Sequence, residues 1–197
     1  MKRLLSLLVT GFLATTQVAM ANETELGDSV VRPATASPFA PSIRVAFSPG
    51  EAEAEVFDLV RKANKSIRIL TTSLVNRDLA DELLLAKSRG VDVRVLFSGA
   101  SKDQKSFVIA FLKNGGVFAA YATTRQTLNS NFIVTDEANT ITGSVDYAST
   151  SFRRNHETIM TVKNYPDAAF KLMSAWDALA AEAEEPAPVR QKQGAPG

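Results

Sequence analysis

Between Ser42 and Glu182, short apolar runs of period two alternate with longer segments whose apolar residues recur every three or four positions. That alternation constrains the fold more than any single residue does. Ser42–Phe47 (SIRVAF) reads as a strand, and Glu51–Ala63 as a helix with Val56, Leu59, Val60 and Ala63 on one face. Ser48 or Pro49 stands near the cap of that helix, and Glu51 suits the positive end of its dipole. Ser66–Thr71 (SIRILT) predicts a second strand, and Arg77–Arg89 a helix with Leu79, Leu83 and Ala86 inward. Gly90 follows where a left-handed residue stops a helix. A strand at Val91–Phe97, a helix at Asp103–Asn114 ended by Gly115-Gly116, and a strand at Val117–Ala122 continue the pattern. Phe132–Thr135 and Asn139–Thr142 flank a short turn at Asp136-Glu137-Ala138. Thr158–Val162 is a last strand, and Pro166–Glu182 an amphipathic helix holding the single tryptophan, Trp176. This order predicts an α/β domain with a largely parallel first half, and the hairpin near Asp136 makes the sheet mixed.

The two ends have a different character. Lys2 and Arg3 precede the apolar run LLSLLVTGFLATTQVA, and Ala19-Met20-Ala21 supplies small residues before Asn22, the order of a secretory leader. The run is short and interrupted by Thr15, Thr16 and Gln17, which disfavours a membrane anchor. Residues 1–21 therefore read as a signal peptide, which predicts an exported, periplasmic or secreted, protein. Residues 22–41, rich in proline and small polar types, read as a flexible linker; residues 42–182 form the domain, and 183–197 a disordered tail.

Loss of residues 1–21 lowers Lys+Arg from 22 to 20 against 21 Asp+Glu, so the mature chain is near −1. A balance this close to neutral lacks the overall charge of a non-specific nucleic-acid binder. With no cysteine, the fold rests on packing without disulfides or thiolate-held metals. One histidine, His156, excludes a zinc or haem site built from several imidazoles.

The segment KSIRILTTSLVNRDLADELLLAKSRGVDVRVLFSG, the strand ending at Asp136, the Thr142-Gly143-Ser144 triplet and RRNHETIMTV together resemble the phospholipase D superfamily. The likeness runs from about Ser42 to Ala180 and is greatest to the small secreted single-motif nucleases of that family. It implies a mixed β-sheet flanked by helices on both faces. In the family a His-x-Lys-x4-Asp signature does the work: histidine attacks phosphorus, lysine holds the phosphate oxygens, and the aspartate is mainly structural. Single-motif members pair two chains, so that one histidine attacks while the other protonates the leaving group. No cofactor or metal is needed, because imidazole serves as nucleophile and acid in turn.

Carried onto this chain, the signature reads Asn-Ser-Asn-x4-Asp. Asp136 takes the aspartate place, Asn129 the histidine place and Asn131 the lysine place. Ser144 matches a phosphate-facing serine, and Asp146 stands where the family usually has asparagine. Asn155 and Glu157 match an Asn-x-Glu pair whose acid orients the catalytic histidine. An amide nitrogen is neither basic nor nucleophilic, and the change to Asn131 removes a cation from the phosphate position. His156, two residues before Thr158 rather than a lysine, cannot rebuild the motif. On a strand that turns Asn155 and Glu157 inward, it faces the other way.

Asn129 and Asn131 also suit ordinary turns, Gly143 and Ser144 a tight turn, and Arg153 and Arg154 either a phosphate or solvent. The resemblance thus points to a catalytically impaired homologue acting by binding or assembly. The alternative is an active phosphodiesterase that uses replacement residues or a partner chain. Implied partners are a second copy, a chain with an intact motif, or a phosphodiester of nucleic acid or phospholipid.

Overall fold

A computed structural model of the protein describes residues 40–98, 107–123 and 127–183. The leader at 1–21, the linker apart from residues 40–41, the onset of the third helix at Asp103, and the tail beyond 183 lie outside the described residues. The elements are β1 (Ser42–Ser48), α1 (Ala52–Lys62), β2 (Ser66–Thr71), α2 (Arg77–Ser88), β3 (Asp92–Ser98) and α3 (Phe107–Asn114). They continue as β4 (Phe118–Ala122), β5 (Asn131–Thr135), β6 (Asn139–Gly143), α4 (Ser149–Arg153), β7 (Glu157–Lys163) and α5 (Pro166–Ala181). Each strand read from the sequence is present within a residue or so of its expected ends. The short helix α4 was not expected.

The strands form one sheet in the order β1-β7-β6-β5-β2-β3-β4. Pairs β2–β3 and β3–β4 are parallel, and the remaining pairs are antiparallel. The sheet is mixed, as the hairpin predicted. Helices α1, α2 and α3 bury Val56, Leu59, Leu79, Leu83, Val108 and Leu112 against one face, where Ile67, Ile69, Val95 and Ile133 meet them. On the other face α5 packs Ala169 and Trp176 onto Leu70, Leu96, Phe132 and Val134. The Trp176 indole donates to the Ile69 carbonyl at 2.9 Å, and the Arg68 guanidinium stacks over its ring at 5.5 Å. The buried ring thus satisfies its one polar atom.

Local chemistry explains the boundaries. The Asn76 side chain caps α2 by accepting from the Leu79 N–H at 3.1 Å. Gly90 adopts φ +91°, the left-handed stop expected of it. Arg89 donates to the carbonyls of Val60, Arg61 and Ala63, satisfying the free end of α1. The cap of α1 differs from expectation: Glu51 holds that position without a side-chain hydrogen bond, so neither Ser48 nor Pro49 caps it. The Ser48 hydroxyl instead donates to the Ser151 carbonyl at 2.8 Å, fastening α4 to the end of β1.

Gly143 is required by close approach. A Cβ there would lie 2.1 Å from the Thr158 carbonyl oxygen and 2.8 Å from the Ile159 Cα, both backbone atoms of β7. Gly143→Ala must therefore separate β6 from β7, at a cost of about 2 kcal/mol. Chemical denaturation should show that loss, and an unchanged midpoint would mean this edge of the sheet yields freely.

Candidate functional site

Strand directions gather the signature region at one end of the sheet. The ends of β1, β2 and β6 and the starts of β5 and β7 meet there, which brings Asn131, Ser144, Asp146 and Glu157 into one neighbourhood. In an α/β sheet the crevice beyond the strand ends, where the order changes direction, is the usual place for a ligand.

Asn131 opens β5 and is not a turn residue; it is 6% exposed. Its Oδ1 accepts from the Thr72 N–H at 2.9 Å, with the Thr71 and Thr72 hydroxyls at 3.1 and 3.2 Å. Its Nδ2 points to the Ser144 carbonyl at 3.5 Å. One amide therefore joins β2, β5 and the residue after β6. A polar group this buried must be satisfied, and here the protein itself supplies the partners. Asn129 lies two residues earlier, exposed, and makes no side-chain hydrogen bond to the described residues.

Ser144 follows the Gly143 approach and is bound twice to β7. Its N–H donates to the Thr158 carbonyl at 3.0 Å, and its Oγ accepts from the Thr158 N–H at 3.1 Å. Asp146 is half-buried and accepts from the Ala148 N–H at 3.1 Å and the Ser151 hydroxyl at 2.6 Å. The first bond is an Asx turn that leads the chain into α4. The Thr71 hydroxyl reaches the Asp146 carbonyl at 2.9 Å. Glu157 accepts from Asn155 Nδ2 at 3.1 Å and faces the same Ser151 hydroxyl at 3.3 Å. Two carboxylates thus flank one hydroxyl, which has a single proton to give. Tyr147, buried between them in sequence, has φ +60° and packs against Phe152. Burial first, and the Asp146 charge second, push its phenol pKa up, so the ring stays neutral.

Asp136 is elsewhere. It follows the central strand β5 at the opposite end of the strands and accepts from the backbone N–H groups of Asn64, Lys65 and Ser66 at 2.7–3.1 Å. Asp136 and Glu137 both have positive φ, 53° and 58°, and form the tight β5–β6 turn. Arg153 does not reach into the site: it bonds Glu53 at 3.0 Å and Asp78 at 3.6 Å, tying α4 to the first turns of α1 and α2. Arg154 and His156 are exposed, and His156 precedes the first residue of β7. The residues that sequence reasoning missed are Thr71, Thr72 and Ser151. Their roles depend on contacts across the fold, and nothing local in the sequence marks them.

The domain thus carries crossover helices on one face of its sheet, a single long helix on the other and a polar cluster at the strand ends. Among solved structures the chain resembles the phospholipase D family member Nuc from Salmonella typhimurium. The two share 24% identity and a TM-score of 0.71, over 74% of this chain and 97% of that one. It also resembles NucT from Helicobacter pylori, with 16% identity and a TM-score of 0.66 over 74% and 99%. TrmBL2, an archaeal chromatin protein with a novel mode of DNA binding, is similar at 17% identity and a TM-score of 0.54 over 72% and 53%. No curated protein matches the chain. Residues 56–178 match the family described as cardiolipin synthase, PLD-like domain, and the chain belongs to that family and so to the phospholipase D superfamily.

Proposed function

We propose that the protein is an exported phospholipase D-family protein that no longer hydrolyses phosphodiesters and acts by binding or assembly. The observation that carries this reading is the Asn131 amide. It occupies the lysine place and is consumed by Thr71, Thr72 and Ser144, leaving no cation or imidazole in the signature. Loss of a covalent nucleophile alone costs about 10⁴–10⁶ in rate in measured triads. Against the family pattern, Asn131 removes a cation and Asp146 adds an anion where a phosphate would sit. At about 4 Å and an effective dielectric of 20, each disfavours it by roughly 4 kcal/mol before screening. A DNA-binding chromatin protein of similar fold lends support to a role in binding rather than turnover. The partner is a second copy, a chain with an intact motif, or a phosphodiester held outside the closed cluster.

Purified protein should release no product above buffer from DNA, RNA or bis(p-nitrophenyl) phosphate, with or without EDTA. Turnover abolished by Asn129→Ala or His156→Ala would overturn the reading in favour of an active phosphodiesterase.

A further inference from the structure

The end of the sheet away from Asn131 holds a cleft of about 130 Å³ beneath the C-terminal part of α1. Three strand residues line it side by side: Thr135 closes β5, Asn139 opens β6 opposite it, and Lys163 closes β7. Alternation turns all three toward α1. Ile133, Ile141 and Ile159, an even number of positions away on each strand, lie in the core shared with that helix. Thr135 is only 1% exposed, yet its hydroxyl makes no hydrogen bond to the described residues. A hydroxyl this buried calls for a partner, and the chain does not supply one. Asn139 accepts from the Asn164 N–H through Oδ1 at 3.1 Å, which leaves its Nδ2 free among the described residues. From α1, Asp58 meets both ammonium groups, Lys62 at 2.7 Å and Lys163 at 3.6 Å. Asp136 also borders the cleft, but its carboxylate is taken by the backbone N–H groups of Asn64, Lys65 and Ser66. The cleft thus sets two cations against one carboxylate not already held by the backbone, with a hydroxyl and an amide that lack acceptors.

We propose that this cleft binds a small free oxoanion of the phosphate type, held by Thr135 Oγ1, Asn139 Nδ2 and the ammonium groups of Lys62 and Lys163. It lies at the opposite end of the strands from the signature cluster and does not depend on whether that cluster hydrolyses anything. Size sets the ligand first: the volume is that of about four water molecules, room for one tetrahedral ion and little more. Charge sets it next. A metal cation would meet two ammonium groups, and a neutral ligand would leave their surplus charge unmatched. Lys62 reaches Asp58 as an exposed pair one helical turn apart, a contact worth little against water, so it turns to an anion at small cost. Asp58 opposes the anion and keeps the affinity in the millimolar range. Hydrogen bonds to a charged acceptor are the strong ones, which is what the buried Thr135 hydroxyl gains.

Isothermal titration of the purified full chain with inorganic phosphate tests this, beside melting in sodium phosphate and in sodium chloride of equal ionic strength. The wild type should bind with a millimolar dissociation constant and melt higher in phosphate than in chloride. Thr135→Val keeps the shape and removes the unpartnered hydroxyl. It should melt no lower than the wild type in chloride, and bind phosphate about tenfold more weakly. Lys163→Met should weaken binding by about tenfold as well, and its partly exposed position keeps the test sound where the valine disturbs β5. No heat and no gain over chloride, or binding indifferent to both variants, overturns the proposal. So does a Thr135→Val protein that melts lower in chloride yet binds phosphate as before, since water then satisfies the hydroxyl. A preference for glycerol phosphate over the inorganic ion would overturn the assignment to a free ion. Hydrolysis of phosphodiesters by the wild type would sink the reading of the signature and leave this cleft standing.

Discussion

Asp136→Ala should lower the stability of the fold by about 3 kcal/mol while leaving the polar cluster at the far end of the sheet in place. The carboxylate accepts from three consecutive backbone N–H groups, those of Asn64, Lys65 and Ser66. Hydrogen bonds to a charged group are worth about 1.5–3 kcal/mol each when buried. Asn64 and Lys65 are exposed, so water replaces part of what they lose, whereas Ser66 is buried. Alanine also accepts φ +53° less readily than aspartate does. For a chain of this size the loss corresponds to a fall in Tm of roughly 6–12 °C. Asp136→Asn keeps an acceptor and the left-handed tolerance, so it should lose about half as much. A melting temperature unchanged by Asp136→Ala would show that the α1–β2 connection does not depend on the clamp.

Rebuilding the signature should restore chemistry only at the expense of the knot that replaced it. In Asn129→His with Asn131→Lys, the histidine arrives at an exposed position, but the lysine displaces a buried amide. The Thr72 N–H loses its side-chain acceptor, and stability should fall by about 1–3 kcal/mol. Adding Asp146→Asn removes one anion while keeping an oxygen to accept from Ala148 and Ser151. The triple variant should hydrolyse bis(p-nitrophenyl) phosphate on the order of 10²-fold above the buffer background, a fraction of what a covalent nucleophile is worth. A folded but inactive triple variant would show that the pocket differs at more than these three positions.

The strands and their faces were legible because period-two runs such as SIRILT and VDVRVLF can bury their apolar residues in few other ways. Helix α4 was not, because the five residues STSFR are too few to show a helical period. The signature was legible as a string and less so as a place. Asp136 stands five strand steps from Asn131, about 16 Å at 3.3 Å per step, so a motif compact in sequence spans the sheet from end to end. The burial of Asn131 was hidden because its partners, Thr71 and Thr72, lie about sixty positions away and are ordinary residues at a strand end. The Asx turn at Asp146 was hidden for a related reason: it serves a helix that the sequence did not announce.

Helix α4 is far shorter than a helix that persists alone in water. It is fastened on three sides: by Ser48 to its backbone, by Asp146 to the Ser151 hydroxyl, and by Arg153 to Glu53 and Asp78. Opening it means breaking ties to β1, to the segment after β6, and to two helices at once. The polar end of the sheet should therefore open with the global unfolding of the domain rather than ahead of it, which amide exchange at Ser151 and Phe152 would show. Anything that binds there meets a surface already set, gains nothing from reshaping it, and is selected by fit alone.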